Sequence, residues 1–408
     1  MNQAPLNEND THANNKNEAA VGHNLQAQKD QQQQQQHAGR TTVTEIITIK
    51  EQVPQIREPD VPHPNNQDPR KDPPTSKSNH TVERVNGAFV ILARNSDLDS
   101  LRPTILELEA RFNHRYHYPY VFLNEKPFDT AFKRGIEEVA PDSEIEYGLI
   151  PNEHWSYPPW IDQEKARQQR QIMKQKKVIY GDSEPYRHMC RFNSGFFYRH
   201  PLLAKYKWYW RVEPSVKFPC EIDYDPFRFM QENRKLYGFT VSIKEFVETI
   251  PTLWNTTVKF MEQHKDLMPK NNLLHFVEEK DSKNPGGKSI YNRCHFWSNF
   301  EIGSLDFMRG REYNMYFDYL DKAGGFFYER WGDAPVHSLG VAMFMNKDQV
   351  HWFKDIGYFH NPLWNCPQGD DHKRLKCTCD PKLSIDIKNK QWSCSLEFKD
   401  LPFSPIKS

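Results

Sequence analysis

Residues 87–124 read GAFVILARNSDLDSLRPTILELEARFNHRYHYPYVFLN, and this stretch predicts the opening unit of the fold. The apolar run at 88–93 predicts a strand buried on both faces, and residues 120–124 predict a second one. Between them, behind Asp97 as the expected helix cap, apolar residues recur at helical spacing: Leu98, Leu101, Ile105, Leu108 and Phe112. Strand, helix and strand in this order predict an α/β sheet.

Ligands of such sheets gather at the carboxyl ends of the strands. Arg94 and Asn95 follow the first predicted strand, and Asn124 ends the second. A nucleotide is therefore expected near these three side chains.

Composition divides the chain into two parts. Residues 1–82 are rich in Asn, Gln, Lys and Pro and contain a run of six glutamines at 31–36, which predicts a disordered stem. No internal repeat is evident after it, so residues 83–408 are expected to form one catalytic domain. The 54 basic residues balance 54 acidic ones, which disfavours binding to nucleic acid or to an anionic membrane.

Cysteines and glycosylation sequons indicate the compartment. The cysteines stand at positions 190, 220, 294, 366, 377, 379 and 394, and sequons begin at Asn79 and Asn255. Both features are typical of an oxidising, glycosylating lumen, with at least one thiol left unpaired. A zinc module is an alternative for part of this set, namely Cys366, Cys377, Cys379 and Cys394 with His372. The Cys-x-Cys spacing favours disulfides instead. Against a lumenal location, the sequence shows no signal peptide and no run of roughly 20 apolar residues.

Two carboxylates are candidates for a role in catalysis, and each also has a purely structural interpretation. Glu213 follows an aromatic-rich strand that Pro214 stops, so it is placed to hold a divalent cation or simply to pair with Arg211. Glu301 follows a cluster of aromatic residues and is a candidate nucleophile or stabiliser of an oxocarbenium-like transition state. Ser298 and Glu301 also match a capping box at the start of the next predicted helix.

Two further segments carry candidate site residues. Residues 328–337 contain Trp331 and Asp333 among aromatic and charged neighbours. Such a segment either binds a sugar or forms a loop held by its own hydrogen bonds. His360 follows a short apolar segment and is either a metal ligand or a structural histidine.

Five segments together resemble the fungal Golgi α-1,2-mannosyltransferase family. They are Y-R-x-M-C-R-F-N-S-G (186–195), W-Y-W-R-V-E-P (208–214), H-F-W-S-N-F-E-I (295–302), E-R-W-G-D-A-P-V-H-S (329–338) and D-I-G-Y-F-H (355–360). The resemblance extends over about residues 87–394. It implies a GT-A-like mixed-sheet domain that transfers mannose from GDP-mannose with retention, using manganese.

The resemblance also implies roles for single residues. Glu213 and His360 look like the metal ligands, and Glu301 looks like the catalytic carboxylate. Tyr186 resembles the family tyrosine close to the donor, and Arg94 and Arg191 complete the predicted donor-binding set. Trp331 and Asp333 are the candidates for binding the acceptor.

The family implies a mannosylated glycoprotein acceptor and a type II membrane protein of the Golgi lumen, although no anchor is visible in this chain. The acceptor glycan stays open between O-linked chains, N-linked chains and mannosylphosphate transfer to N-glycans. Two other classes compete with the enzyme: a non-catalytic glycan-binding relative, and a zinc module that binds nucleic acid. The second lacks a basic face and paired ligand spacing.

Overall fold

The computed structural model describes residues 84–281 and 289–401. The predicted stem at 1–82 and the sequon at Asn79 lie outside these residues. The strands are β1 (Gly87–Leu92), β2 (Tyr120–Asn124), β3 (Ile145–Leu149), β4 (Trp208–Arg211), β5 (Tyr237–Phe239), β6 (Ser242–Lys244), β7 (Glu278–Glu279), β8 (Ile290–Tyr291), β9 (Cys294–Phe296), β10 (Glu301–Ser304), β11 (Val350–Trp352), β12 (Tyr358–His360) and β13 (Leu363–Asn365).

The helices are α1 (Leu98–Arg111), α2 (Thr130–Glu137), α3 (Gln163–Gln175), α4 (Glu184–Gly195), α5 (Pro226–Glu232), α6 (Leu253–Gln263), α7 (Leu274–Val277), α8 (Leu305–Arg309), α9 (Arg311–Ala323), α10 (Gly325–Tyr328), α11 (Asp333–Phe344), α12 (Gly369–Arg374), α13 (Ile385–Lys388) and α14 (Ser395–Asp400). Among the described helices, none combines the length and the apolar character needed to cross a membrane.

The central sheet of the described residues has seven strands in the order β11-β5-β10-β4-β1-β2-β3. Strands β4, β1, β2 and β3 are adjacent and all run parallel to one another. Strand β10 runs antiparallel to both of its neighbours, β4 and β5. This mixed sheet confirms the predicted α/β class. Because β10 is reversed, its first residue lies at the edge where β4 ends.

The core lies on both faces of this sheet. Along β1, Ala88 and Val90 pack into one apolar cluster, and Phe89 and Ile91 pack into the other. Helix α1 covers the second face, and helices α9 and α11 contribute to the first. An uninterrupted apolar strand is what burial on both faces requires, so the prediction for β1 is confirmed.

Local predictions were right about the elements and partly wrong about the caps. Helix α1 begins after Asp97, but the Asp97 carboxylate accepts the Arg94 backbone N–H (2.9 Å), closing a 3-10 turn instead of capping the helix. The capping-box interpretation of Glu301 is wrong. Glu301 begins strand β10, and the helix that follows starts at Leu305, with Ser304 accepting from the Phe307 N–H at 3.3 Å. Gly324 ends α9 in the left-handed conformation (φ 77°).

The disulfide prediction is confirmed. Cys220 bonds Cys377, Cys294 bonds Cys394, and Cys366 bonds Cys379, which leaves Cys190 as a buried free thiol. The cysteines considered for zinc are thus consumed in covalent bonds.

A buried ion pair joins helices α4 and α9. Arg191 donates to both carboxylate oxygens of Asp321, at 2.7 and 2.8 Å, and both side chains are more than 90% buried. An ion pair in this position tolerates the loss of one partner poorly, because the other charge is then stranded in the core.

We predict that Asp321→Asn lowers the free energy of unfolding by about 3–5 kcal/mol, because Arg191 stays charged and buried. The joint replacement Arg191→Met, Asp321→Leu is expected to be less damaging. Denaturant unfolding measures both. Glu138→Gln, which breaks the exposed pair with Arg102 (3.0 Å), is the control and is expected to cost at most about 1 kcal/mol. An Asp321→Asn protein that unfolds at the wild-type midpoint would contradict the prediction.

Candidate active site

The sheet brings two of the predicted carboxylates to one edge. Glu301, the first residue of β10, stands opposite Arg211, the last residue of β4, and Glu213 follows two positions later. The site therefore depends on the antiparallel pairing of β4 with β10.

Glu301 is completely buried. Its Oε2 atom accepts a hydrogen bond from the Tyr237 hydroxyl (2.7 Å) and lies 3.0 Å from Nδ1 of His337. Its Oε1 atom has no hydrogen-bond partner. A buried carboxylate oxygen without a partner is costly, so Oε1 is the atom that a ligand would satisfy.

A cavity opens on Glu301. Apolar side chains form most of its wall, and Asn193, Tyr209, Arg211 and Glu301 provide its polar groups. The Tyr209 hydroxyl is buried close to Glu301, although no hydrogen bond of normal length joins the two groups. Burial, followed by the charge of Glu301, raises the pKa of Tyr209, so this group stays neutral. The cavity has a mainly apolar lining with few polar groups, and its interior has room for about one water molecule.

Arg211 is the cation around which the other charges are placed. Its guanidinium forms ion pairs with Asp333 and with Glu213, and only 11% of the side chain is exposed. Ser298 donates a further hydrogen bond to Asp333 at 2.7 Å. Burial alone would lower the pKa of Arg211, but Asp333, Glu213 and Glu301 outweigh it and raise that pKa well above its usual value. Arg211 therefore carries a permanent charge beside the cavity.

Glu213 lies at the outer side of this cluster with His360. Nε2 of His360 is 3.4 Å from Oε2 of Glu213, and about a quarter of each side chain is exposed. Burial opposes ionisation, but Arg211 and His360 prevail and lower the pKa of Glu213 to about 2. The structural alternative for Glu213, a pair with Arg211, thus occurs, and the two predicted metal ligands also lie side by side.

The pair fits a divalent cation. Nδ1 of His360 lies 3.2 Å from the Asn361 carbonyl oxygen, which selects the tautomer with its proton on Nδ1. The other nitrogen, Nε2, points at the Glu213 carboxylate, so a divalent cation bound here would take the place of the proton that lies between these two groups. Manganese accepts mixed nitrogen and oxygen ligands, and the exposure of both side chains leaves room for phosphate oxygens.

The predicted donor-binding residues are dispersed. The Tyr186 ring lies 5.2 Å from the Arg330 guanidinium and stacks on Tyr180. Arg94 follows β1 at the same sheet edge as Arg211, where its exposed guanidinium pairs with Asp97. Arg191 is buried, and Asp321 occupies two of its nitrogens. Donor binding by these residues stays a prediction, and the geometry of Arg191 counts against it.

The two acceptor candidates differ in their placement. Asp333 begins helix α11 and joins the Arg211 cluster directly. Trp331 is 1% exposed, its ring packs against Gly325, and its Nε1 donates to Glu329. An indole covered in this way offers no face to a sugar. The acceptor role of both residues stays a prediction, which burial disfavours for Trp331.

Sequence reasoning assigned no role to Tyr237 or His337. Tyr237 lies on the short strand β5, where no local pattern marks it out. His337 stands in a mainly apolar helix, between Val336 and Ser338, and that placement was the available signal. Arg211 was considered only as a partner for Glu213.

Comparisons with known proteins identify the family of this chain. The sequence pattern of the family described as "Glycolipid 2-alpha-mannosyltransferase" matches residues 14–402. Alpha-1,2 mannosyltransferase KTR1 of Saccharomyces cerevisiae is 52% identical over 79% of this chain and 80% of its own length. O-glycoside alpha-1,2-mannosyltransferase omh1 of Schizosaccharomyces pombe is 50% identical over 79% of this chain and 80% of its own length.

A solved structure extends the agreement to the fold. Core-mannan synthase A (CmsA/Ktr4) from Aspergillus fumigatus, in its Mn/GDP form, superposes with a TM-score of 0.73. It is 40% identical to this chain, and the match covers 83% of this chain and 95% of that one. The family pattern spans nearly all of the present sequence, and it includes every candidate site residue. The chain therefore belongs to the glycolipid 2-alpha-mannosyltransferase family.

Proposed function

We propose that this protein transfers mannose from GDP-mannose to a mannosylated glycoprotein glycan, forming an α-1,2 linkage with retention of configuration. The observation that carries the proposal is the unsatisfied Oε1 of Glu301, which is buried at the wall of a cavity. In this proposal, residues 83–408 form the catalytic domain and residues 1–82 the stem that precedes it.

The relatives support the donor, the metal and the linkage. KTR1 and omh1 are named as alpha-1,2-mannosyltransferases, and the Aspergillus fumigatus structure is described as an Mn/GDP form. By similarity, GDP-mannose is the donor and manganese the cofactor here. Because omh1 is named as an O-glycoside enzyme, an O-linked acceptor is the preferred choice among those left open by the sequence.

The residues have distinct tasks in this reaction. Glu213 and His360 would hold manganese, which as a Lewis acid supports the leaving diphosphate. Arg211 supplies a fixed positive charge next to the cavity, and Asp333 and Ser298 hold it in place. Positive charge that is already oriented stabilises the anion that develops in the transition state without further reorganisation.

Glu301 has two ways to secure retention. Its Oε1 either attacks the anomeric carbon and forms a mannosyl ester that the acceptor hydroxyl then displaces, or it stabilises an oxocarbenium-like state while the acceptor enters from the side that GDP leaves. Both routes require one carboxylate oxygen free to face the sugar, and both are compatible with the hydrogen bonds to Oε2.

The compartment belongs to the same proposal. Three disulfides indicate an oxidising environment. Asn255, which begins the second sequon, is exposed on α6. Together with the family membership these features support the Golgi lumen and a type II membrane topology.

We predict that Glu301→Gln lowers kcat for mannosyl transfer at least about 100-fold while GDP binding is retained, because an amide is neither a nucleophile nor an anion. Dimannoside formation from GDP-mannose and α-methyl mannoside, with manganese present, measures the rate.

Glu109→Gln is the matched control. Glu109 on α1 also accepts from a tyrosine, Tyr120, at 2.7 Å, but it bonds Asn113 and lies away from the cavity. It is expected to keep the wild-type rate. Full turnover by Glu301→Gln would reject the assigned role. A folded wild type that binds GDP but makes no dimannoside would favour mannosylphosphate transfer, and failure to bind GDP would favour the non-catalytic glycan-binding relative.

We predict that His360→Ala raises the manganese concentration for half-maximal rate by about 10–100-fold, because it removes one of two protein ligands. Titration of manganese into EDTA-treated enzyme measures this change. His372→Ala is the control, since His372 bonds the Cys379 carbonyl oxygen at 2.9 Å and takes no part in the site. An unchanged manganese requirement in His360→Ala would exclude His360 as a ligand.

A further inference from the structure

His337 stands between two hydrogen-bond acceptors. Its Nδ1 lies 3.0 Å from Oε2 of Glu301, and its Nε2 lies 2.9 Å from the backbone carbonyl oxygen of Asn193. The imidazole side chain is completely buried, so water cannot supply a missing donor. A neutral imidazole has a single N–H group and can satisfy only one of these two contacts.

The carbonyl of Asn193 can only accept, so Nε2 must carry a proton. The contact with Glu301 then needs a second proton, owned either by Nδ1 or by Oε2. The Tyr237 hydroxyl already donates to Oε2 at 2.7 Å. Oε2 of Glu301 thus faces two groups, the Tyr237 hydroxyl and Nδ1 of His337. An ionised carboxylate, which only accepts hydrogen bonds, suits this position better than a carboxylic acid.

We propose that His337 is held as an imidazolium that positions Glu301, fixing Oε2 so that Oε1 alone faces the sugar. The positioning role rests on the proposed function, whereas the charge of the ring does not.

The charged groups around the ring are consistent with this state. Glu301 faces it from β10, Asp333 from the first turn of its own helix, and Arg211 from β4. From α9, the Tyr313 ring packs 6.0 Å away with its hydroxyl bonded to the Ser194 carbonyl oxygen. Burial and Arg211 lower the pKa of His337, but Glu301 and Asp333 outweigh them and raise it above the usual value.

The same chain contains a contrasting histidine. His200 is also buried, but its Nε2 lies 3.2 Å from the Leu149 carbonyl oxygen and its Nδ1 accepts the Leu202 backbone N–H at 3.3 Å. One donor and one acceptor suit the neutral ring, and burial lowers the pKa of His200. His200 is therefore the internal reference for a neutral buried imidazole.

Nitrogen NMR of the full chain labelled at histidine tests the charge without any turnover. At pH about 7.5, where an unperturbed histidine is mostly neutral, we expect a signal from the His337 ring with both nitrogens protonated. That signal should disappear in His337→Gln and persist in His200→Gln. A His337 ring with a single protonated nitrogen would overturn the proposal, because the second proton would then belong to Glu301. If His337→Gln does not fold, coupling of both ring nitrogens to protons in the wild type decides the same question.

Kinetics test the positioning role. We expect His337→Gln to lower kcat by at least about tenfold with KM for GDP-mannose nearly unchanged, as loss of a supporting hydrogen bond usually does. Wild-type activity should also fall as pH rises through the raised pKa of His337, because the ring loses its proton there. His337→Gln should lack that decline, and His200→Gln should keep it.

The outcomes separate the two proposals. Equal kcat and an unchanged alkaline decline in His337→Gln would overturn the positioning role even if transfer occurs. A charged His337 in a protein that transfers no mannose would reject the proposed function and leave the charge assignment intact.

Discussion

The buried guanidinium of Arg211 is the constraint on which the site depends. A cation with so little exposure must be matched by anions close by, and this chain provides them from three different elements. Glu213 follows the same strand, Asp333 begins α11, and Glu301 lies opposite on β10. Any shift of these elements relative to one another would leave a charge without its partner. The cluster that favours catalysis therefore also fixes the relative positions of the strands and the helix.

The reversed strand β10 is what makes this arrangement possible. In a fully parallel sheet, the residues at one edge all follow their strands. Here the start of β10 meets the end of β4, so a carboxylate that begins one strand joins a cation that ends the next. Glu301 is thereby anchored within the sheet, where hydrogen bonds from the backbone hold it more rigidly than a loop would. The proposed metal ligands Glu213 and His360 lie further out, with about a quarter of each side chain exposed.

Neighbouring groups give the two active carboxylates different properties. Glu213 is partly exposed and paired with cations, which suits a ligand that must stay ionised. Glu301 is fully buried at the wall of the cavity, where one of its oxygens is bonded to Tyr237 and the other has no hydrogen-bond partner. Two carboxylates with distinct surroundings can serve distinct roles at one pH, and that separation is a common feature of enzyme sites.

The sequence by itself determined the α/β class, the strand–helix–strand opening, the strand-end position of Glu213 and the preference for disulfides over zinc. These follow from local patterns, since apolar periodicity and cysteine spacing act within a few residues. The long motifs also singled out Glu301 and His360 as candidate site residues before any geometry was known. Only the tertiary structure decided that Glu301 begins a strand instead of capping a helix, and that Trp331 and Arg191 are buried in supporting contacts. It alone brought Tyr237 and His337, which are 100 residues apart in the chain numbering, to the same oxygen of Glu301. Such contacts depend on long-range packing and on the complete burial of polar groups, which no local pattern encodes.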